Sequence, residues 1–336
     1  MIFNTILKPI EWIGRQGTRA IAALVVIGIA LPSIGAAIKP FVTEAVFVLL
    51  CITFLRIDFS AVKTYLRRPA VVIAATVWTS VAIPFLFGLG CRALGLSEGA
   101  PELFLGLMLQ AVASPMMAAP ALAALMGLDA TLVLVTLITS TALIPFTAPL
   151  FAHLLVGPIL SVSPAMLAIK LFAIIAGAAL IGFSLRRLFG MKTIEQRRDL
   201  IDGINVIVLF VFVAAIMESV GPRILTAPRI SVAFASIAFI VFFVILFLTI
   251  FLFRSFGWKS AFALGFMVSQ RNMGLMLAAT GGVLPELTWF YFALSQFPIY
   301  LSPYLLHPLT QRILTAETAN ERKPINKQDS KKTILF

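Results

Sequence analysis

The sequence predicts an all-α polytopic membrane protein with ten transmembrane helices. Of its 336 residues, 60% are hydrophobic and 12% are charged, and the mean hydropathy is +1.04. A soluble domain of this length does not need so much apolar surface. Apolar runs of 18 or more residues, long enough to cross a bilayer as a helix, recur along the chain. These runs are continuous and not alternating, which disfavours a transmembrane β-barrel.

The ten predicted spans fall into two halves of five. They lie at about 18–38, 40–57, 69–95, 101–126, 129–155, 163–188, 200–220, 228–255, 258–283 and 286–312. Proline stands at or near the start of most spans, where a helix tolerates a residue without an N–H. The first span is too long for the apolar region of a signal peptide, so we expect it to be retained.

The predicted domain boundaries follow from these spans. Residues 1–17 form a cytoplasmic N-terminal segment, 18–155 the first five-helix repeat, 156–312 the second, and 313–336 a polar, disordered cytoplasmic tail. Because five is an odd number, the two repeats have opposite orientations in the membrane, so the repeat is an inverted one.

The distribution of Lys and Arg supports this topology. With the N-terminus inside, 20 of the 26 basic residues fall on the cytoplasmic side. The six others are Lys39, Arg92, Arg223 and Arg229 on the opposite side and Lys170 and Arg271 within spans. This asymmetry predicts a plasma (inner) membrane protein with both termini cytoplasmic. It also explains the net charge of +12, so the expected partner is the lipid bilayer and not nucleic acid.

Spans four and nine are both interrupted, and we expect the two broken helices to cross near the midplane. Span four contains Pro115 and Pro120, which lack an N–H and displace the carbonyls four residues earlier. Either proline alone is as consistent with a simple kink, but the two together favour a break. The half-helix after Pro120 would direct its N-terminal amides at an anion. Broken helices in matching positions of two halves are typical of secondary transporters.

Span nine carries Arg271 in its middle. Arg271 follows Lys259 by 12 residues, which is roughly 18 Å of helix and about half of a ~30 Å hydrocarbon core. A charge at this depth costs several kcal/mol and usually marks a function. Since no acidic residue lies in the middle of any span, we favour an anionic ligand over an internal ion pair. The candidate substrate-binding residues are Arg271, Asn272, Gln270, Ser269, Gln110, Ser114, Pro115 and Pro120.

The sequence does not predict an enzyme, a metal site or a cofactor. Cys51 and Cys91 lie in spans without a CxxC pair, and His153 and His307 have no ligand partners at metal-binding spacing. No catalytic constellation is present. Two function classes remain: a secondary transporter that moves a small organic anion by alternating access, and a membrane sensor that binds a ligand without moving it. The absence of an output domain in the tail disfavours the sensor. The substrate, the direction of transport and the oligomeric state stay open.

Three stretches resemble the bile acid:sodium symporter family. Residues 54–60, followed by 66–69, resemble the end of its second span. Ser140–Pro145, starting eleven residues after Asp129, resembles its fifth span, and Gln270–Leu275 its ninth-span crossing motif. The resemblance covers about residues 20–312. It implies a core domain that holds the crossing helices, a panel domain, and a substrate bound between them.

The family's sodium ligands are missing from the matching positions. Ala119-Pro120 stands where the family has Ser-Asn, Met267 where it has glutamate, and Arg271 where it has glutamine. The fifth-span hydroxyl ligands correspond to Val133 and Leu137. We therefore expect no sodium coupling, although backbone carbonyls are alternative ligands, and the chain would be a uniporter, an exchanger or a proton-linked carrier. The related arsenite carriers fit less well, because span four has no cysteine.

Overall fold

The fold is known from a computed structural model that describes residues 2–16, 26–57 and 69–321. The expectations for residues 18–25, 58–60, 66–68 and 322–336 therefore lie outside the described residues. Within the described ranges the regular elements are helices, joined by one isolated β-bridge. This confirms the all-helical fold class.

The described residues form twelve main helices, and residues 26–30 are also helical. In chain order they are α1 (Ile2–Gln16), α2 (Pro32–Arg56), α3 (Pro69–Ala93), α4 (Pro101–Val112), α5 (Ala119–Leu125), α6 (Ala130–Val156), α7 (Pro164–Phe189), α8 (Arg198–Thr226), α9 (Pro228–Phe256), α10 (Trp258–Ser269), α11 (Met273–Ala279) and α12 (Glu286–Glu321), with short helices at Leu96–Gly99 and Met191–Gln196. Six of them, α2, α3 and α6 to α9, are long and apolar enough to cross a membrane.

Helix boundaries follow from local chemistry. Proline begins α3, α4, α7 and α9, as the sequence predicts. The prediction of a span boundary at Pro40 is wrong, because α2 begins at Pro32 and continues through a tight turn at Lys39–Phe41. Asp129 caps α6 by accepting a hydrogen bond from Leu132 N at 3.0 Å, and Ser163 caps α7 through Met166 N. Gly257, at φ +99°, provides the left-handed conformation that lets α10 fold back along α9.

Both interruptions that the sequence predicts are present. The first broken helix consists of α4 and α5, with 12 and 7 residues, and the second of α10 and α11, also with 12 and 7. The longer pieces span roughly 18 Å and the shorter ones roughly 10 Å. Neither piece alone crosses a ~30 Å hydrocarbon core. The broken helices thus bring two chain interruptions into the interior of the protein.

The helices pack into two bundles. The first bundle contains α1, α2, α7 and α8, and the second contains α3 to α6 and α9 to α12. In the first bundle, α2 and α8 run antiparallel, because Lys39 pairs with Glu218 at one end and Arg56 pairs with Asp202, at 2.6 Å, at the other. Exposed ion pairs contribute little stability, but these two define which ends of the helices lie together.

The apolar core shows where the bundles touch and where they separate. The larger cluster of buried residues draws on both bundles. The other consists of second-bundle residues alone, such as Leu122, Phe253 and Phe262, near the end that carries Arg254 and Lys259. At that end, the buried apolar residues that the structure describes do not join the two bundles, which leaves room for a cavity between them.

The last helix is longer than the sequence predicts. It continues to Glu321, into the segment 313–336 for which a disordered tail is expected. Three prolines inside it, Pro298, Pro303 and Pro308, do not end it, which is tolerated when neighbouring helices satisfy the freed backbone groups.

Gly265 allows α10 to pack closely on α9, and its replacement tests this contact. A Cβ at Gly265 would lie 2.9 Å from Leu246 O and 2.7 Å from Ile250 Cγ1. We expect Gly265→Ala to cost about 1–3 kcal/mol through overpacking and to lower the unfolding temperature of the detergent-solubilised protein. Gly90 in α3 has no such neighbour within 4 Å, so Gly90→Ala should leave the temperature unchanged or raise it. Equal effects of the two substitutions would contradict the packing described here.

Candidate functional site

The two chain breaks pair with each other like short antiparallel strands. Ala113 and Gln270 have extended backbone conformations, and Pro115 and Arg271 form the β-bridge. Met116 N donates to Gln270 O, and Asn272 N donates to Ser114 O, both at 2.7 Å. A broken helix in a membrane must satisfy its freed backbone groups within the protein. Each break therefore supplies a hydrogen-bond partner for a backbone group of the other.

Arg271 is almost completely buried at this bridge, with 1% of its surface exposed. One terminal nitrogen of its guanidinium donates to Ala113 O at 2.9 Å and to Thr79 O at 3.3 Å. Its Nε and its other terminal nitrogen have no hydrogen-bond partner in the part of the chain that the structure describes. None of the ion pairs between described residues includes Arg271. Two donors of a buried charge are thus left unsatisfied, which is rare and costly.

Thr79 can accept from Arg271 because α3 is irregular at this point. Residues Trp78–Ala82 form a π-helical turn, in which Ile83 N donates to Trp78 O. The next residue, Pro84, has no N–H to offer Thr79 O. Neither Ile83 nor Pro84 donates a backbone hydrogen bond to Thr79 O, and Thr79 O instead accepts from the guanidinium of Arg271. Sequence reasoning missed this contact, although a proline inside an apolar span was the available signal.

Four other predicted site residues lie at the two chain breaks. Gln270 Nε2 donates to Ser302 Oγ at 2.9 Å. The Oδ1 of Asn272 caps α11 through Leu275 N. Pro115 is buried in the bridge. Within the described residues, Gln270 Oε1 and Ser114 Oγ are buried without a hydrogen-bond partner.

Two predicted residues are used elsewhere. Gln110 accepts a hydrogen bond from the hydroxyl of Tyr291. Ser269 donates to Phe266 O within its own turn, at 2.9 Å. Neither lines the cavity described below.

The half-helices offer few amides to an anion. Helix α5 begins at Ala119, whose N–H already bonds to Met116 O, and Pro120 has no N–H. In α11 the Asn272 cap occupies Leu275 N. These two amides are therefore already used within the protein, and the expectation that the half-helix amides form an anion site stays a prediction.

A cavity of about 750 Å³ separates the two bundles and ends at Arg271. Of the eight predicted site residues, Pro120, Arg271 and Asn272 line it. Its mouth is polar and its walls are largely apolar. The mouth is formed by Arg15, Arg56, Arg198, Asp199, Asp202 and Asn205, and the walls include Leu49, Leu50, Leu122, Leu134, Leu209 and Phe212.

Sequence reasoning missed the contribution of α12 to this cavity. Gln296 and Tyr300 line its inner part, and Ser302 receives Gln270. The available signal was a run of polar residues, Ser295 and Gln296, in an apolar span.

The positions that correspond to sodium ligands offer no side-chain oxygen. Ala119, Val133, Leu137 and Met267 are buried, and Pro120 lines the cavity. Three hydroxyls of α6, on Thr136, Ser140 and Thr141, are buried and have no hydrogen-bond partner in residues 2–16, 26–57 and 69–321. Among the described residues, no group of three or more His, Cys, Asp or Glu side chains is placed to hold a metal ion.

Comparison with known families identifies a matching family model. The sequence model of the Sodium Bile acid symporter family matches residues 43–227, more than half of the chain. The matched region includes the Ser140–Pro145 motif and ends before the Gln270–Leu275 motif. A search of curated proteins gives no match.

Pro84→Ala tests how the site holds Arg271. An N–H at position 84 allows α3 to close into a regular helix, in which Thr79 O is taken by a backbone donor. Loss of one charge-assisted hydrogen bond costs about 1.5–3 kcal/mol, so we expect the apparent affinity for a transported anion to fall roughly tenfold or more with little change in maximal rate.

Pro149→Ala is the matched control, because Pro149 also lies buried inside a long helix, α6, and is not among the residues that bond to Arg271. A fall in affinity of the same size in both variants would contradict a specific role for Pro84.

Proposed function

The chain belongs to the sodium bile acid symporter family, and on that basis we propose that it is a secondary transporter that carries a small organic anion by alternating access. Family membership identifies it as an integral membrane protein of the transporter type, and members of the family are transporters and not enzymes. The anionic substrate, the transport cycle and the coupling are the parts that we propose. The sensor alternative finds no support in the match or in the site.

One observation carries the proposal. The cavity ends at a buried guanidinium with two unsatisfied donors and no acidic partner among the described residues. An uncompensated buried charge costs several kcal/mol. A carboxylate or sulfonate would neutralise it and accept two hydrogen bonds in the fork geometry that arginine favours.

The shape of the cavity supports an anion with an apolar body. Gly274 of α11 faces Val46 of α2, where a Cβ would come within 3.1 Å of it. Arg56, at the cavity mouth, lies ten residues further along α2, which is ~15 Å of helix. Apolar side chains line the path between the two levels. We propose that the anionic group lies at Arg271 and that the apolar part points toward the mouth.

The contacts at the opposite end support an inward-facing state. There Arg223 of α8 pairs with Glu286 of α12 and lies over the Phe290 ring, 5.1 Å from its centroid. Lys39 lies 4.5 Å from the centroid of Trp289. These contacts join the two bundles on the side with few basic residues. We propose that this side is external, that both termini are cytoplasmic, and that the cavity opens to the cytoplasm of a cell whose inner membrane holds the protein.

The equal lengths of the two broken helices support an inverted repeat. Both consist of a 12-residue and a 7-residue piece, in the fourth and ninth of the ten spans counted from the sequence. We propose two inverted five-helix repeats whose broken helices cross near the midplane. Exchange between equivalent conformations of the repeats would open the cavity alternately to each side.

Arg271 also bears on sodium coupling. A cation 4 Å from the guanidinium would be repelled by about 4 kcal/mol at an effective dielectric constant of ~20. The buried hydroxyls of α6 and the Gln270 Oε1 are neutral and do not compensate for this repulsion. We propose that Arg271 takes the electrostatic place of sodium and that transport is independent of sodium.

Arg271→Gln should abolish transport. The assay is counterflow: purified protein is reconstituted in vesicles preloaded with an unlabelled anion, and entry of the labelled anion is measured with lactate, benzoate and taurocholate as probes of increasing apolar size. Because glutamine removes the charge that neutralises the substrate, we expect at least a tenfold loss of initial rate.

Arg229→Gln is the control, since Arg229 is exposed and does not line the cavity; it should transport like the native protein. Absence of counterflow with all three probes, or full activity of Arg271→Gln, would contradict the proposed function.

Replacement of sodium by choline on both sides of the membrane should leave the counterflow rate of the native protein unchanged, because the repulsion from Arg271 keeps the cation out of the site. The measurement compares initial rates at 0 and ~100 mM sodium, an excess that would saturate an ordinary ion site. A rate that rises with sodium along a saturable curve would show that sodium binds despite Arg271.

A further inference from the structure

The charge balance of the empty carrier limits how it can cycle. Arg271 lies at the contact between the bundles: Gly274, three residues later, faces Phe212 of α8 so closely that a Cβ would come within 2.8 Å. A transporter of the proposed kind must close the cavity around this contact before it opens on the other side. Arg271 is already 1% exposed, but the cavity beside it has room for water. During closure this water is expelled, and the guanidinium loses the nearby solvent that screens its charge.

The described residues supply no counter-charge for that step. The acidic residues that form ion pairs pair with other bases, as Asp202 does with Arg56 and Arg198 and Glu286 does with Arg223. Arginine stays charged at neutral pH, so it does not become neutral by releasing a proton. The empty carrier therefore has to enclose a single positive charge that is held by two neutral carbonyls.

A bound anion removes this obstacle. With a monoanion at Arg271, the enclosed site is a neutral, hydrogen-bonded pair. Without it, the penalty for enclosing an unpaired charge slows closure by a factor on the order of 10²–10³. Loaded carriers then cross in both directions, whereas empty carriers stay on the side where the last anion left.

We propose that this protein is an obligatory anion exchanger, in which one organic anion enters only when another leaves. This inference rests on the proposed function, because it requires the substrate to bind at Arg271. It excludes the uniporter and the proton-linked carrier that the sequence leaves open. Exchange of one monoanion for another moves no net charge, so the exchange rate does not depend on membrane potential.

The test compares two loads in otherwise identical vesicles that contain the native protein. One set contains the unlabelled form of whichever probe (benzoate or taurocholate) gives Arg271-dependent counterflow, and the other contains isosmotic sucrose. We expect the labelled probe to enter the anion-loaded vesicles on the order of 100-fold faster. A potassium diffusion potential set with valinomycin should leave the exchange rate unchanged.

The outcomes separate this inference from the proposed function. Equal initial rates with the anion and sucrose loads would overturn obligatory exchange while the transporter assignment stands. An exchange rate that varies with the imposed potential would overturn the proposed one-for-one exchange of equal charges. If none of the probes gives Arg271-dependent counterflow, the proposed function itself is overturned, and the exchange proposal with it.

Discussion

Two backbone hydrogen bonds, from Met116 N to Gln270 O and from Asn272 N to Ser114 O, hold the interrupted helices together. In the membrane interior an unpaired amide or carbonyl costs several kcal/mol, so an isolated break would be unstable. Here each break satisfies backbone groups that the other leaves unpaired. Their pairing places Arg271 at a bridge, with its backbone fixed by one broken helix and its side chain directed at the carbonyl that ends the other.

The side chain of Arg271 then sets the chemistry of the site. The groups that contact Arg271 hold its guanidinium in place but do not neutralise its charge. Ala113 O and Thr79 O fix one terminal nitrogen, and the remaining donors are buried without a partner among the described residues, next to a large cavity. The proposed binding of an anion, the proposed independence from sodium and the proposed need for a bound anion during closure all rest on that one missing negative charge.

Local sequence signals predicted the breaks, but long-range packing decided the rest of the site. Pro115, Pro120 and the polar run at Arg271 each change the character of an apolar span, so they are visible without a structure. The role of Thr79 is not visible, because its carbonyl meets a residue 192 positions away. Similarly, the presence of a polar residue in an apolar span does not predict its hydrogen-bond partner. Gln110 accepts from Tyr291, which the sequence does not indicate. The cavity depends on where two bundles fail to pack, which no local pattern records.

Thermal unfolding of the native protein and of Arg271→Gln, in detergent without organic anion or sodium, tests most directly whether the charge of Arg271 lacks a partner. If it does, removal of the charge relieves an uncompensated cost, and the variant should unfold at the same temperature as the native protein or higher. Saturating taurocholate or benzoate should then stabilise the native protein alone. Breaking a buried ion pair costs about 3–5 kcal/mol, so a fall of several degrees in the anion-free variant would show that Arg271 has a counter-charge within the protein and would contradict the account.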